Sequence, residues 1–304
     1  MMILLWLLIF TMPDGGLYTF DLQTKTIEQI ATCETACLHL EWSGNQVAFL
    51  DGDQLSIITL NDGERVNIPI DRGVYDYNVM PDWNADFSQV VYAARFDMRS
   101  LMVIVDVATG DSTIFEDFTA EDPHWLPDGR IGFYNGGGVQ VFDPATEALI
   151  DLTADGDIHD LPSWSPDGEQ IVLRARVGET DYIWAVMDAD GTNGRVLTSA
   201  IVEQSIWDET GERIATLLWR DLGGEQIDLV MIADDALIVL AENAVSGYVP
   251  AWYQDEIAYI GIGEDDSINL YLIDVNDPLK PVLLVEGAAD DLNPAASPIF
   301  AAES

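Results

Sequence analysis

Tryptophan returns along this chain at a nearly constant interval. Trp42, Trp83, Trp125, Trp164, Trp207 and Trp252 are 41, 42, 39, 43 and 45 residues apart. Their settings match: "HLEWSGNQVAFL", "MPDWNADFSQVVYAA", "DPHWLPDGRIGFY", "LPSWSPDGEQIVLRA", "QSIWDETGERIATLL" and "VPAWYQDEIAYIG". Each is a short strand with Trp, a polar turn, then a strand of branched and aromatic residues. A third strand follows and ends at Asp or a polar turn, as in "LMVIVDVATGD" and "LYLIDVNDP". A fourth short strand closes the unit, as in "STIFE" and "PVLLVE". No stretch carries the period of a long amphipathic helix. Four antiparallel strands in about 42 residues predict an all-β chain built as a β-propeller. A lone blade leaves both faces bare, and stacking blades in a ring covers them. The repeated Trp reads as blade packing.

Six blades are predicted at about 32–70, 74–116, 119–153, 157–198, 201–241 and 246–287 within a single domain spanning 1–304. The remainder reads as a seventh. Pro294-Ala-Ala-Ser-Pro298 stands in phase with Pro162-Ser-Trp-Ser-Pro166, with Ala296 in the Trp position. It supplies one C-terminal strand. The N-terminus offers three more in "LLWLLIFTM", "GGLYTFDLQT" and "KTIEQIAT". A closing blade from 290–304 plus 3–31 ties the ring and removes open edges. Six blades, with residues 1–11 as an export signal, is the alternative. No Lys or Arg precedes that apolar run and no small-residue cleavage site follows it cleanly, which favours a strand.

The segment "PSWSPDGEQIVLRARVGETDYIWAVMDADGTNGRVLT" (162–198) resembles the WD40-like (PD40) repeat of TolB-type propellers. "PHWLPDG" repeats its start, and the other blades are degenerate copies. The resemblance implies a propeller and does not assign a role. TolB carries a separate N-terminal domain and six blades, for which this seven-unit pattern has no counterpart.

Acidic residues number 54 against 12 basic ones, a formal charge of −42. Such a field repels nucleic acid and anionic lipid and favours cations, basic partners and solubility as a monomer. No apolar run is long enough to span a membrane as a helix. Cys33 and Cys37 are the only cysteines. A C-x3-C pair admits a disulfide, half a metal site or two thiols. The disulfide is the preferred reading, and it points to a periplasmic or extracellular setting, with the cytoplasm as the alternative.

Catalytic signatures are missing. There is no G-x-S-x-G elbow, H-E-x-x-H helix, phosphate loop or dinucleotide fingerprint. "DADGTNG" (188–194) opens like a calcium loop, but the twelfth position is Ser199, not Glu. No cofactor or metal site is expected, and Ca²⁺ on clustered aspartates is the one ion kept open. The loops entering each first strand ring one channel mouth, where propeller function concentrates. They carry Tyr75, Asp76 and Tyr77; Asp122 and His124; Asp157, His159 and Asp160; Glu203; Tyr248; and Asp290 and Asp291. The resulting expectation is a non-enzymatic scaffold that binds a peptide, a protein or a small polar ligand at an acidic mouth. The rivals are a glycan lyase or hydrolase, and a sensor domain of a larger receptor or kinase.

Overall fold

The computed structural model describes residues 6–12, 14–34, 37–43, 45–52, 54–69, 81–96, 99–153, 159–177, 181–203, 205–220, 226–234, 236–287 and 299–302. Every element among them is a strand, and 28 strands form seven four-stranded antiparallel sheets. In chain order, β1 (Trp6–Thr11), β2 (Gly16–Asp21) and β3 (Ile27–Thr32) belong to the closing blade. Blade one is β4 (Cys37–Ser43), β5 (Gln46–Asp51), β6 (Gln54–Thr59) and β7 (Arg65–Pro69). Blade two is β8 (Asp82–Trp83), β9 (Gln89–Phe96), β10 (Arg99–Asp106) and β11 (Ser112–Phe115). Blade three is β12 (Glu121–Trp125), β13 (Ile131–Tyr134), β14 (Val139–Asp143) and β15 (Ala148–Asp151). Blade four is β16 (His159–Trp164), β17 (Gln170–Val177), β18 (Asp181–Asp188) and β19 (Arg195–Thr198). Blade five is β20 (Ile206–Trp207), β21 (Arg213–Trp219), β22 (Ile227–Ala233) and β23 (Ala236–Ala241). Blade six is β24 (Ala251–Tyr253), β25 (Glu256–Ile262), β26 (Ile268–Asp274) and β27 (Val282–Val285). The last strand, β28 (Ile299–Ala302), returns to pair with β1.

The ring closes as the two chain ends suggest. β28 lies antiparallel to β1, with Ile9 opposite Ile299 and Trp6 opposite Ala302. The first strands touch around the axis: β4 meets β8, β8 meets β12, β16 meets β20, β20 meets β24, β24 meets β28, and β28 meets β4. The described part of the closing blade's inner strand is Ile299–Ala302, and Ala296 lies outside the described residues. In the other six blades a short turn joins the first two strands and fixes their register. In the closing blade no turn joins them, and the ladder sets Ile299 opposite Ile9 and Phe300 opposite Leu8.

The core is divided among the seams between blades. Seven buried clusters are present, each drawing on two neighbouring blades. The second and third strands therefore read as continuous apolar runs such as "QVAFLD" and "IDLVMIA", since both faces of each blade are covered. The repeated Trp locks these seams. The Trp164 ring lies over Gly132 of blade three, where a Cβ would stand only 2.3 Å from it. Trp207 donates its indole N–H to the Ser163 carbonyl of blade four at 2.9 Å.

The turns explain the rest of the motif. In "WSPDG", Gly168 takes φ 72° and its N–H reaches the Ser165 carbonyl at 2.8 Å. The Asp167 carboxylate accepts the Glu169 N–H at 3.0 Å, and the Ser165 hydroxyl accepts the Gln170 N–H at 2.9 Å. The Asp residues ending the third strands fold the next hairpin. Asp21, Asp106, Asp143 and Asp274 accept N–H groups of Gln23, Thr109, Ala145 and Asn276 at 2.7–2.9 Å. "DADGTNG" is one of these turns. Asn193 donates to Asp188 at 2.6 Å, and the Thr192 N–H and hydroxyl donate to Asp190 at 2.9 and 2.6 Å.

Candidate functional site: the polar arc of the central channel

The residue just before each repeated Trp sits on a first strand, against the channel axis. Around the ring this position holds Glu41, Asp82, His124, Ser163, Ile206 and Ala251. Trp and its predecessor point to opposite faces of a strand. Trp164 turns back onto blade three, so Ser163 and its counterparts turn toward the following blade. Three successive blades thus bring ionisable groups together, while blades five and six place Ile206 and Ala251 at this position.

Asp82 is the hinge of this arc. One carboxylate oxygen accepts its neighbour Trp83's N–H at 2.9 Å. The other accepts the Trp125 N–H of the next blade at 2.6 Å. His124 stands between two carboxylates, with Nδ1 3.6 Å from Asp82 and Nε2 3.5 Å from Asp122. A bulge in β12 makes this possible. The ladder slips between Glu121 and His124, and Asp122 adopts φ 51°, a left-handed conformation that Asp tolerates better than most residues. The same slip recurs before Glu41 in β4 and before Ser163 in β16.

The charges shift one another. Burial works against protonation of His124, but the charges and contacts of Asp122 and Asp82 outweigh it and hold its pKa well above the usual imidazole value. The two carboxylates thus favour the imidazolium form of His124. Burial, reinforced by the Asp82 charge and opposed by His124, pushes the Glu41 carboxyl up to about 8. Most Glu41 side chains then carry a proton at pH 7.

A cleft of about 400 Å³ opens over this arc. Its lining includes Asp82, His124, Ser163 and the rings of Trp83, Trp125 and Trp164. Ala85, Leu126, Pro127, Ser165 and Pro166 form its rim, so it opens among the turns that follow the first strands.

That is the opposite end of the channel from the loops entering the first strands. Of the residues expected at that mouth, Asp122 and His124 come together in the arc. Tyr75, Asp76, Tyr77, Asp157, Asp290 and Asp291 lie outside the described residues. The backbones of His159 and Asp160 pair with Ala175 and Arg174 in β16–β17, and their side chains are outside the described set. Glu203 serves as a clamp between blades five and six. Its carboxylate accepts the Trp219 indole N–H and the Gly247 N–H, both at 2.9 Å, and the Ser246 hydroxyl. Tyr248 is buried at 4% exposure in the seam between blade six and the closing blade. Cys33 and Cys37 are joined as a disulfide at the crossing from the closing blade to blade one. Glu41 and Asp82 were not among the expected residues. Their signal was present as the position before the repeated Trp, shared with His124.

Searches of family models and of curated proteins return no match. Solved structures do match in fold. TolB from Acinetobacter baumannii aligns at TM-score 0.59 and 16% identity, over 77% of this chain and 63% of that one. An oligogalacturonate lyase in complex with manganese aligns at TM-score 0.66 and 16% identity, over 85% of this chain and 82% of that one. A study of two prolyl endopeptidases contributes a match at TM-score 0.60 and 12% identity, over 88% of this chain and 46% of the enzyme. The chain thus spans under two thirds of that TolB. The molecule is a seven-bladed β-propeller of TolB-like architecture, and its structural neighbours include enzymes as well as TolB.

Proposed function

We propose that this propeller is a binding scaffold that takes a small polar ligand, or polar side chains of a peptide or protein partner, on the arc formed by Glu41, Asp82 and His124. The observation that carries the reading is the asymmetry of the ring. Ionisable groups gather on three adjacent blades, and two of them, Asp82 and His124, line one cleft whose volume falls in the range of small-molecule sites. An architectural role alone accounts for the tryptophans but not for a histidine held between two carboxylates. Perturbed ionisable groups of this kind mark functional sites.

A binding role is favoured over catalysis by the state of His124. Both its ring nitrogens face carboxylates, which favour its protonated form over a free base. The Cys33–Cys37 disulfide supports a site of action in an oxidising compartment.

Tryptophan fluorescence tests the reading, since three indoles line the cleft. A panel of short peptides, oligosaccharides and polar small molecules is titrated against wild type, Asp82→Asn and His124→Gln. Binders are expected to lose more than tenfold in affinity in both variants. Binders indifferent to both substitutions refute a site on the arc. Turnover of oligogalacturonate or of proline-containing peptides by wild type, abolished in His124→Gln, refutes the non-enzymatic part.

A further inference from the structure

Every blade of the ring leaves its fourth strand as an open edge. Edge strands of soluble proteins are kept short or carry charge or proline, because a bare edge pairs with any extended chain. Six of the seven edges follow that rule. β11, β15, β19 and β27 have four residues each, β3 contains Glu28, and β7 begins at Arg65 and ends at Pro69. β23 breaks it, with six residues, Ala-Leu-Ile-Val-Leu-Ala, and neither charge nor proline among them. Leu237 and Ile238 on it are 40% and 36% exposed. The edge is capped at one point. Leu240 falls at a bulge, and its carbonyl accepts the Leu279 N–H of blade six at 2.6 Å. Among the described residues no backbone group outside β22 bonds to Ala236–Val239.

The two ends of this open stretch differ in chemistry. One follows Asp234, which is exposed. The other meets Leu279, itself exposed and held at φ 64°, a conformation costly for leucine. A second copy of the chain fits poorly. Antiparallel self-pairing would turn Asp234 of each copy toward Leu279 of the other, and each copy carries a charge of −42.

We propose that the open edge of β23 takes an extended segment of another protein as a fifth strand of blade five, with apolar side chains along it and a Lys or Arg where it passes Asp234. The segment's backbone pairs with Ala236–Val239, its side chains lie beside Leu237 and Ile238, and its far end packs on Leu279. The charge of the whole molecule draws a basic segment in. This surface lies on an outermost strand, apart from the arc on the first strands of blades one to three, so the failure of either site leaves the other standing.

The probes are capped octapeptides with Lys at both ends, so that either strand direction brings a base past Asp234, and a middle of alternating Thr and Val. Matching peptides end in Gln or in Glu, and one Lys-ended peptide is N-methylated throughout its middle. Fluorescence anisotropy reads affinity, and hydrogen–deuterium exchange locates the contact. The Lys-ended peptide should bind, with the Glu-ended and N-methylated peptides at least about tenfold weaker. Amide exchange should slow in residues 236–239 and not in the other outer strands. Leu237→Lys should weaken binding at least about tenfold. Ile114→Lys makes the same change at an exposed position on the edge of blade two and should leave binding unchanged. Asp234→Asn suits the left-handed φ of 49° and should weaken the Lys-ended peptide about threefold, toward the Gln-ended one. Circular dichroism of the three variants should be that of wild type. Absence of binding by the Lys-ended peptide overturns the inference. Equal binding of the N-methylated peptide, slowed exchange spread over all outer strands, or equal losses in Leu237→Lys and Ile114→Lys reduces the effect to bulk charge and overturns it too. No loss in Asp234→Asn overturns the assignment of a base to the partner. A dimer in sedimentation that Leu237→Lys dissolves gives the edge to a second copy, and the inference falls.

Discussion

Gly132 gives the sharpest test of how the blades are locked. It lies in β13 directly opposite His124, and its φ is not left-handed, so its backbone accepts any residue. Only space forbids a side chain. An added methyl would stand 2.3, 2.4 and 2.7 Å from three atoms of the Trp164 ring. Restoring van der Waals contact requires the ring to retreat by about 1 Å, and over-packing of this kind costs about 1–3 kcal/mol. In a chain this long each kcal/mol lowers Tm by about 2 °C, so Gly132→Ala should melt about 2–6 °C below wild type. Gly137→Ala is the control. That glycine is neither left-handed nor crowded, its nearest neighbour being Asn135 Oδ1 at 3.6 Å, and its substitution should fall within about 0.5 kcal/mol of wild type. Trp164→Phe should relieve the clash, so the double variant with Gly132→Ala should be more stable than the summed single effects by about 1 kcal/mol or more. Calorimetric melting with urea titration provides the readout. Gly132→Ala melting with wild type, or strict additivity with Trp164→Phe, would refute the claim that this ring–glycine contact holds blades three and four together.

Three further outcomes follow from the charges and the disulfide. Glu41 and His124 both hold protons more tightly folded than unfolded, so the favourable part of His124 is full below pH 6.5 and fades as pH rises, while the cost of burying Glu41 grows between pH 4.5 and about 8. Stability should therefore fall from pH 5 to pH 8 with a slope of up to about 1.4 kcal/mol per unit for each group, and Glu41→Gln should flatten it; melting points rising over that range contradict the assignment. Asp208 is 1% exposed and meets Arg213 at 2.7 Å, while that arginine also reaches Asp255 and the Gln254 carbonyl on blade six at 2.8 and 2.9 Å. Arg213→Met leaves Asp208 without its cation and should cost about 3 kcal/mol in urea unfolding, an effect absent if the pair is incidental. Non-reducing peptide mapping should recover residues 33 and 37 linked, and Cys33→Ser should lower stability by at most about 2 kcal/mol, because the loop it closes is short.

Much of the architecture was written along the chain. The Trp interval, the "WSPDG" turn and the Asp ending five of the seven third strands are local devices, and each works through its own few residues. The site was less legible. Asp122 and His124 stood out as an acid and a histidine near a strand start, but Asp82 and Glu41 lie 40 or more residues upstream of His124 and carry no motif. Tyr248 and Glu203 looked like mouth residues because they precede first strands. Nothing local showed that one would be buried in a seam and the other spent on Trp219 and the Gly247 N–H.

Sequence by itself determined that this chain makes four-stranded blades, and that its two ends supply the parts of one more. Strand period, turn chemistry and repeat length are short-range properties, so one dimension records them. Tertiary structure alone decided which side chains meet across seams. Ring closure sets Glu41, Asp82 and His124 on successive blades, and the bulge in β12 turns His124 between two carboxylates. Their ionisation follows from that meeting, because burial and neighbouring charge act through distance in space, not along the chain.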